Sequence, residues 1–234
     1  MRRAYIAATL LLAGCAAKPE YLVTIDAISS GEHERKSNYV LLSGNKDVPV
    51  DDLQFKEFAK YIHRALTARG FSQVGNISEA EIAIFLLYGI GDPQEHYYTY
   101  SRPIWGQTGV SSSSTTGTMN LFGNTGTYSG TTTYTPTYGI TGFSSGVGSY
   151  VTYFRYITLS ACDVTRYLAT KKPNEVWRTS VTSTGSCGDL RSVFPILVAA
   201  AWEYIGENTG KKVQIKLHED DPLVLELKGA DESR

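Results

Sequence analysis

Positions 103–154 hold no Asp, Glu, Lys or Arg, in a chain of 234 residues of which 19% are charged. From about Gln94 to Ser149 the composition is instead Ser, Thr, Gly and Tyr, with Trp105, Leu121, Phe122, Ile140 and Phe143 scattered through it. An ordinary connection is about 4–6 residues, and a long structureless one is usually functional or disordered. Two architectures suit such a stretch. One is a Gly/Ser linker-like insertion without fixed structure. The other is a long β-hairpin arm, since Thr and aromatic residues favour strands. Tyr97-Tyr98-Thr99-Tyr100 going out and Ser149 to Tyr153 returning suit pairing at its base, so we expect an extended base with a mobile tip. Tyrosine supplies contact area at low entropic cost. Tyr97, Tyr98, Tyr100, Trp105, Tyr128, Tyr134 and Tyr138 are therefore the candidate partner-binding residues.

The rest of the chain reads as conventional elements. Tyr21–Ile28 and Tyr39–Leu42 alternate as strands. Residues 49–70 carry Leu53, Phe55, Phe58, Ile62, Ala65 and Leu66 at helical spacing, with Asp51 expected as N-cap, Gln54 three residues on and Gly70 as terminator. Residues 79–88 are nearly continuous apolar, as a strand buried on both faces would be. Tyr150–Cys162 and Glu175–Ser183 read as strands of a hairpin around a polar turn at residues 163–173. A second helix is expected over residues 189–206, with Pro195 forcing either a late start or a kink. Lys211–Leu217 and Leu223–Leu227 alternate as closing strands around His218-Glu-Asp-Asp-Pro222. The order β-β-α-β, insertion, β-β-α-β-β points to an α+β two-layer sandwich, with two helices on a mixed or antiparallel sheet.

Arg2 and Arg3, a short apolar run from Ala4 to Ala13 and Gly14-Cys15 have the order of a signal peptide. At about ten residues, roughly 15 Å as a helix, the run is too short to span a hydrocarbon core of about 30 Å. Leu12-Ala13-Gly14-Cys15 resembles the lipobox of bacterial lipoproteins. The resemblance implies removal of residues 1–14, lipidation of Cys15 and a tether over residues 15–20. Ala16 follows the cysteine in place of the aspartate that retains such proteins in the inner membrane. In a Gram-negative cell that implies an outer-membrane anchor, with the periplasmic face expected; in a Gram-positive cell the same motif implies the outer face of the plasma membrane. A single domain over residues 21–228, interrupted by the insertion at 94–149, and a tail at 229–234 complete the organisation. The helix ending Ala68-Arg-Gly-Phe71 and the strand opening Ala80-Glu-Ile-Ala83 are similar to those of small uncharacterised envelope lipoproteins. That likeness implies fold and location and no activity. With Cys15 acylated, Cys162 and Cys187 remain in an oxidising compartment, so either one disulfide or two separate thiols is open.

The remaining chemistry is sparse. No nucleophile elbow, phosphate loop, paired-cysteine or zinc-protease spacing occurs. His33, His63, His96 and His218 are isolated in sequence. The acidic run before Pro222 lacks calcium-loop spacing and reads as a solvated turn. We therefore expect no catalytic residues, no cofactor and no metal. The net charge of −1 offers no field for nucleic acid. The expected function is a non-enzymatic, lipid-anchored envelope protein acting in assembly or as an accessory subunit for an envelope protein partner. A peptidoglycan- or glycan-binding module, with Trp105 and the tyrosines as stacking platforms, is the alternative. A hydrolase ranks third and requires an Asp, His or Cys cluster in one concave pocket.

Overall fold

The computed structural model describes residues 18–31 and 37–229. The segment carrying Cys15, the loop residue His33 and the tail at 230–234 lie outside the described residues. The chain divides into two compact units, Glu95–Tyr150 and the remainder.

Among the described residues the elements are, in order, β1 (Glu20–Ser29), β2 (Asn38–Ser43), α1 (Leu53–Ala68), β3 (Ser72–Gln73), β4 (Ile82–Ile90), β5 (Gln94–Phe122), β6 (Thr125–Asp163), α2 (Val164–Thr170), β7 (Glu175–Gly185), α3 (Leu190–Ala201), β8 (Val213–His218) and α4 (Pro222–Lys228). The strands form one mixed sheet of order β3-β2-β4-β6-β7-β1-β8, with β5 paired to β6. β2 runs parallel to β3 and β4; the β4–β6, β6–β7, β7–β1 and β1–β8 pairs are antiparallel.

This corrects the two-helix α+β sandwich. The described residues are β-dominated, 54% strand and 22% helix, with four α-helices and one large mixed sheet among them. Two physical causes account for the difference. The insertion is strand almost throughout. Two segments read as turn and strand are helices, because local capping outweighs their short-range pattern. Residues 163–173 contain α2, whose first turn is capped by the Asp163 carboxylate accepting from the Arg166 amide at 2.9 Å. The segment Leu223–Leu227 is α4. Pro222 opens it and Gly229 at φ 74° closes it, the usual Pro-in, Gly-out asymmetry. Val224 and Leu227, three apart, are its buried residues.

α1 is held at its start by Asp52, whose carboxylate accepts from the Phe55 amide at 2.9 Å. Asp52, one residue beyond the expected Asp51, is thus the cap, a device that contributes about 1 kcal/mol. α3 runs uninterrupted through Pro195 and is capped by Asp189, which accepts from the Arg191 amide and the Ser192 hydroxyl. All but two of its twelve residues are buried.

The core lies between α1, α3 and α4 and the inward rows of the sheet. Its centre is aromatic: Phe58 stacks on Phe194 with centroids 3.8 Å apart and planes 3° apart, and Tyr88 meets both edge-on. Trp177, 1% exposed, extends the core along β7 beside Phe71. The β6 row Arg155, Ile157, Leu159, Ala161 faces the same core. Arg155 is buried; its guanidinium lies 5.9 Å from the Tyr21 ring centre and donates to the Cys187 carbonyl at 3.4 Å. A smaller cluster of Val40, Ala80, Ala83 and Val164 lies apart from it, with α2 supplying the last residue.

Candidate functional site

The unit Glu95–Tyr150 is a two-stranded ribbon made from β5 and the first part of β6. β5 alone has 29 residues, on the order of 90 Å at about 3.3 Å per residue. Only Gly123 and Asn124 separate the strands. Gly123 has φ 59°, while Asn124 is not among the positive-φ residues, the pattern of a type II′ hairpin turn. The strands thus continue to the turn, where a mobile tip was expected.

Strand alternation sorts the β6 half of the ribbon into two rows. One row is Tyr128, Gly130, Thr132, Tyr134, Pro136, Tyr138, Ile140 and Gly142. The other is Thr127, Ser129, Thr131, Thr133, Thr135, Thr137, Gly139 and Thr141. The first is aromatic and glycine-rich, the second almost entirely hydroxylic. Hydroxyls also bridge the strands: Ser112 to Thr135 at 3.2 Å, Thr108 to Thr137 at 3.3 Å and Thr115 to Thr132 at 2.9 Å. Tyrosine rings lie over cross-strand glycines. A Cβ added at Gly117 would sit 2.4 Å from the Tyr128 hydroxyl, and one at Gly146 would sit 2.6 Å from the Tyr100 ring. The glycines let the rings lie flat on the ribbon, an arrangement that also protects their backbone.

Of the candidate residues, Tyr98 and Tyr100 come together at the base, with centroids 6.2 Å apart. Tyr150 lies 6.2 Å from Tyr98 and stacks on His96 at 5.0 Å. Arg102 sits over Tyr100 at 5.0 Å. Tyr97 alternates to the opposite side of its strand from Tyr98. Tyr128, Tyr134 and Tyr138 share one row farther along. All seven candidates are exposed, Trp105 at 69% and Tyr138 at 70%. Sequence reading missed the partner row of threonines and the turn. Both had signals: period-two Tyr/Thr alternation over 125–142, and Gly-Asn between two strand-forming runs.

Outside the ribbon, the cysteines and His218 with its acidic neighbours are held in local contacts. Cys162 and Cys187 are free, half-buried thiols. Cys162 pairs with Glu175 at the start of β7, and Cys187 follows its end at Gly185. About ten extended residues, roughly 33 Å, separate those positions, far beyond the Cα spacing of a disulfide. The intrachain bridge left open by the cysteine count is therefore not formed. Burial pushes the Cys162 thiol up, with Glu175 adding to the effect, which makes it a poor nucleophile. His218 Nδ1 lies 3.1 Å from the Pro19 carbonyl, and the Asp221 carboxylate accepts from the His218 amide at 2.7 Å. The neighbouring acids are tied down too: Glu219 accepts from the Tyr21 hydroxyl at 2.6 Å and Asp220 pairs with Lys18.

His63 Nδ1 meets the Tyr39 hydroxyl at 2.7 Å on the inner side of α1. Burial pulls the His63 imidazole below its ordinary 6.5. Protonation therefore favours the unfolded chain. The stabilisation is complete above the unfolded value and is lost as pH falls below about 6.5 toward the folded one. The melting temperature is expected to drop between pH 7.5 and 5.5, and His63→Gln is expected to flatten that drop. An unchanged slope in the variant would assign the pH dependence to other groups.

No family model matches the chain, and no curated protein matches it. Among solved structures it is similar to a PDZ domain protein from Parabacteroides distasonis, at 10% identity and a TM-score of 0.37. That match covers 86% of this chain and 39% of the other, so the chain spans well under half of its length. The lysenin pore matches at 7% identity and a TM-score of 0.12, over 86% of this chain and 48% of that one. Neither likeness is close enough to speak for fold or function.

Proposed function

We propose that the chain is a non-enzymatic bacterial envelope lipoprotein, anchored through acylated Cys15 at the periplasmic face of the outer membrane, with the ribbon Glu95–Tyr150 as its binding arm. The carrying observation is the exposure of that ribbon. Phe122 is 84% exposed, and long rows of tyrosine and threonine stand in solvent on a segment that the aromatic core does not include. A segment that buries little is kept for what it contacts. The lipobox-like Leu12-Ala13-Gly14-Cys15 supports the location. Exposed Trp105 favours, as a second reading, stacking on a glycan; retention of the wild-type domain on isolated sacculi and loss with Trp105→Ala would support it.

The anchor has a direct test. Cells fed radiolabelled palmitate are expected to label the wild-type chain and leave Cys15→Ser unlabelled. Equal labelling of the variant would sink the assignment.

A further inference from the structure

We propose that the ribbon is a barrel stave: several copies of this chain pair their ribbons edge to edge and close a transmembrane β-barrel, with the Tyr128–Ile140 row facing lipid and the threonine row lining a water-filled lumen. The inference rests on the envelope-lipoprotein reading and names the arm's partner as further copies of the same chain.

Four observations converge. The first is alternation. A barrel strand alternates apolar-out and polar-in; one row of β6 carries Tyr128, Tyr134, Pro136, Tyr138 and Ile140 beside Gly130 and a single threonine, Thr132, and the other row is hydroxylic apart from Gly139. The second is length. Tyr128 to Ile140 is thirteen residues, roughly 40 Å along the strand and about 30 Å at a barrel tilt near 40°, the thickness of a hydrocarbon core.

The third observation is charge. Positions 103–154 carry none, so no charged side chain has to be desolvated on insertion, and charge on the lipid face is what barrels exclude. Water-soluble sheets, in contrast, blunt their edges with Lys, other charges or cover. The fourth is the edges themselves. Among the described residues β5 pairs only with β6, and within the ribbon β6 pairs only with β5, since its β4 and β7 partners lie at Tyr153 and beyond. Both outer edges therefore present open backbone donors and acceptors over most of the ribbon. A single foreign strand would cover one edge and leave the other open. A closed ring of identical ribbons, β5 of one copy on β6 of the next, satisfies both edges at once and is the cyclic assembly that identical subunits form. In lipid no other sheet arrangement satisfies every backbone group.

The test uses the full lipidated chain, purified in detergent and reconstituted into bilayers of phosphatidylethanolamine and phosphatidylglycerol. Wild type is expected to migrate as a ring-sized oligomer and to give stepwise ohmic conductance. Tyr134→Lys, on the lipid row, is expected to lower the number of channels by roughly tenfold or more. Thr133→Glu, on the lumen row, is expected to keep the channels and shift their selectivity toward cations. Circular dichroism and the melting temperature of each variant show that the helix-bearing unit is folded. Absence of conductance, or equal damage from both rows, would overturn the barrel. If bilayers stay sealed while ribbon-dependent crosslinks to a different envelope protein persist, the barrel fails and the binding-arm reading stands. If Cys15→Ser is labelled like wild type, it is the anchor reading that fails.

Discussion

A chain in which residues 95–150 are replaced by Asn-Gly is expected to fold, to melt within a few degrees of the full chain, and to lose its oligomers and its envelope crosslinks altogether. Every member of the main core cluster lies outside the excised residues. The pairs that seat β6 in the sheet begin beyond the cut: Ile90 faces Arg155, Gly91 donates to the Phe154 carbonyl at 2.7 Å, and Tyr153 faces Gly185. The turn joins two strands that are already antiparallel neighbours, so the closure entropy falls. Thermal unfolding of the shortened chain, with size measurement in detergent and crosslinking in the envelope, checks both halves. An unfolded product would show that the ribbon is structural. Retained crosslinks would place the binding surface elsewhere.

Phe58→Ala is expected to cost about 3–5 kcal/mol, a large share of the roughly 5–15 kcal/mol that a domain has. Phe58 is fully buried. Its ring is sandwiched against Phe194 at 3.8 Å and met by Tyr88 at 4.9 Å, so truncation removes the shared wall of three rings from two helices and a strand. Phe58→Leu, which fills most of the hole, is expected to recover more than half of the loss. Urea unfolding measures both. A Phe58→Ala chain within 1 kcal/mol of wild type would mean that α1 slides to fill the space.

How far the fold was legible follows from which signals were local. α1 was readable because Phe55, Phe58, Ile62, Ala65 and Leu66 repeat at helical spacing and are the residues that become buried. β4 was readable from its continuous apolar run. α4 was not, because Leu223, Leu225 and Leu227 mimic a strand, and the decision lay with Pro222 and Gly229 at its ends. Asp163 decided α2 in the same way, as a single capping carboxylate at the end of a long strand. In the insertion, composition drew attention away from order. Ser, Thr and Gly suggest a linker until they are read two residues apart, when all the tyrosines of 127–141 fall in one row and all the threonines but Thr132 in the other. The exposure of the aromatic candidates followed from their number in an uncharged segment. The free state of Cys162 and Cys187 did not, since it depends on the direction of β7 between them.

The two-residue turn at Gly123-Asn124 decides more than where the chain reverses. A slip of two residues between β5 and β6 would return tyrosine to one row and threonine to the other, so side-chain polarity hardly penalises misalignment. Serines 111–114 and threonines 131–133 are nearly interchangeable partners under such a slip. The alignment of the ribbon therefore rests on its two ends, the positive-φ Gly123 at the turn and the Ile90–Arg155 pairing where β6 enters the main sheet.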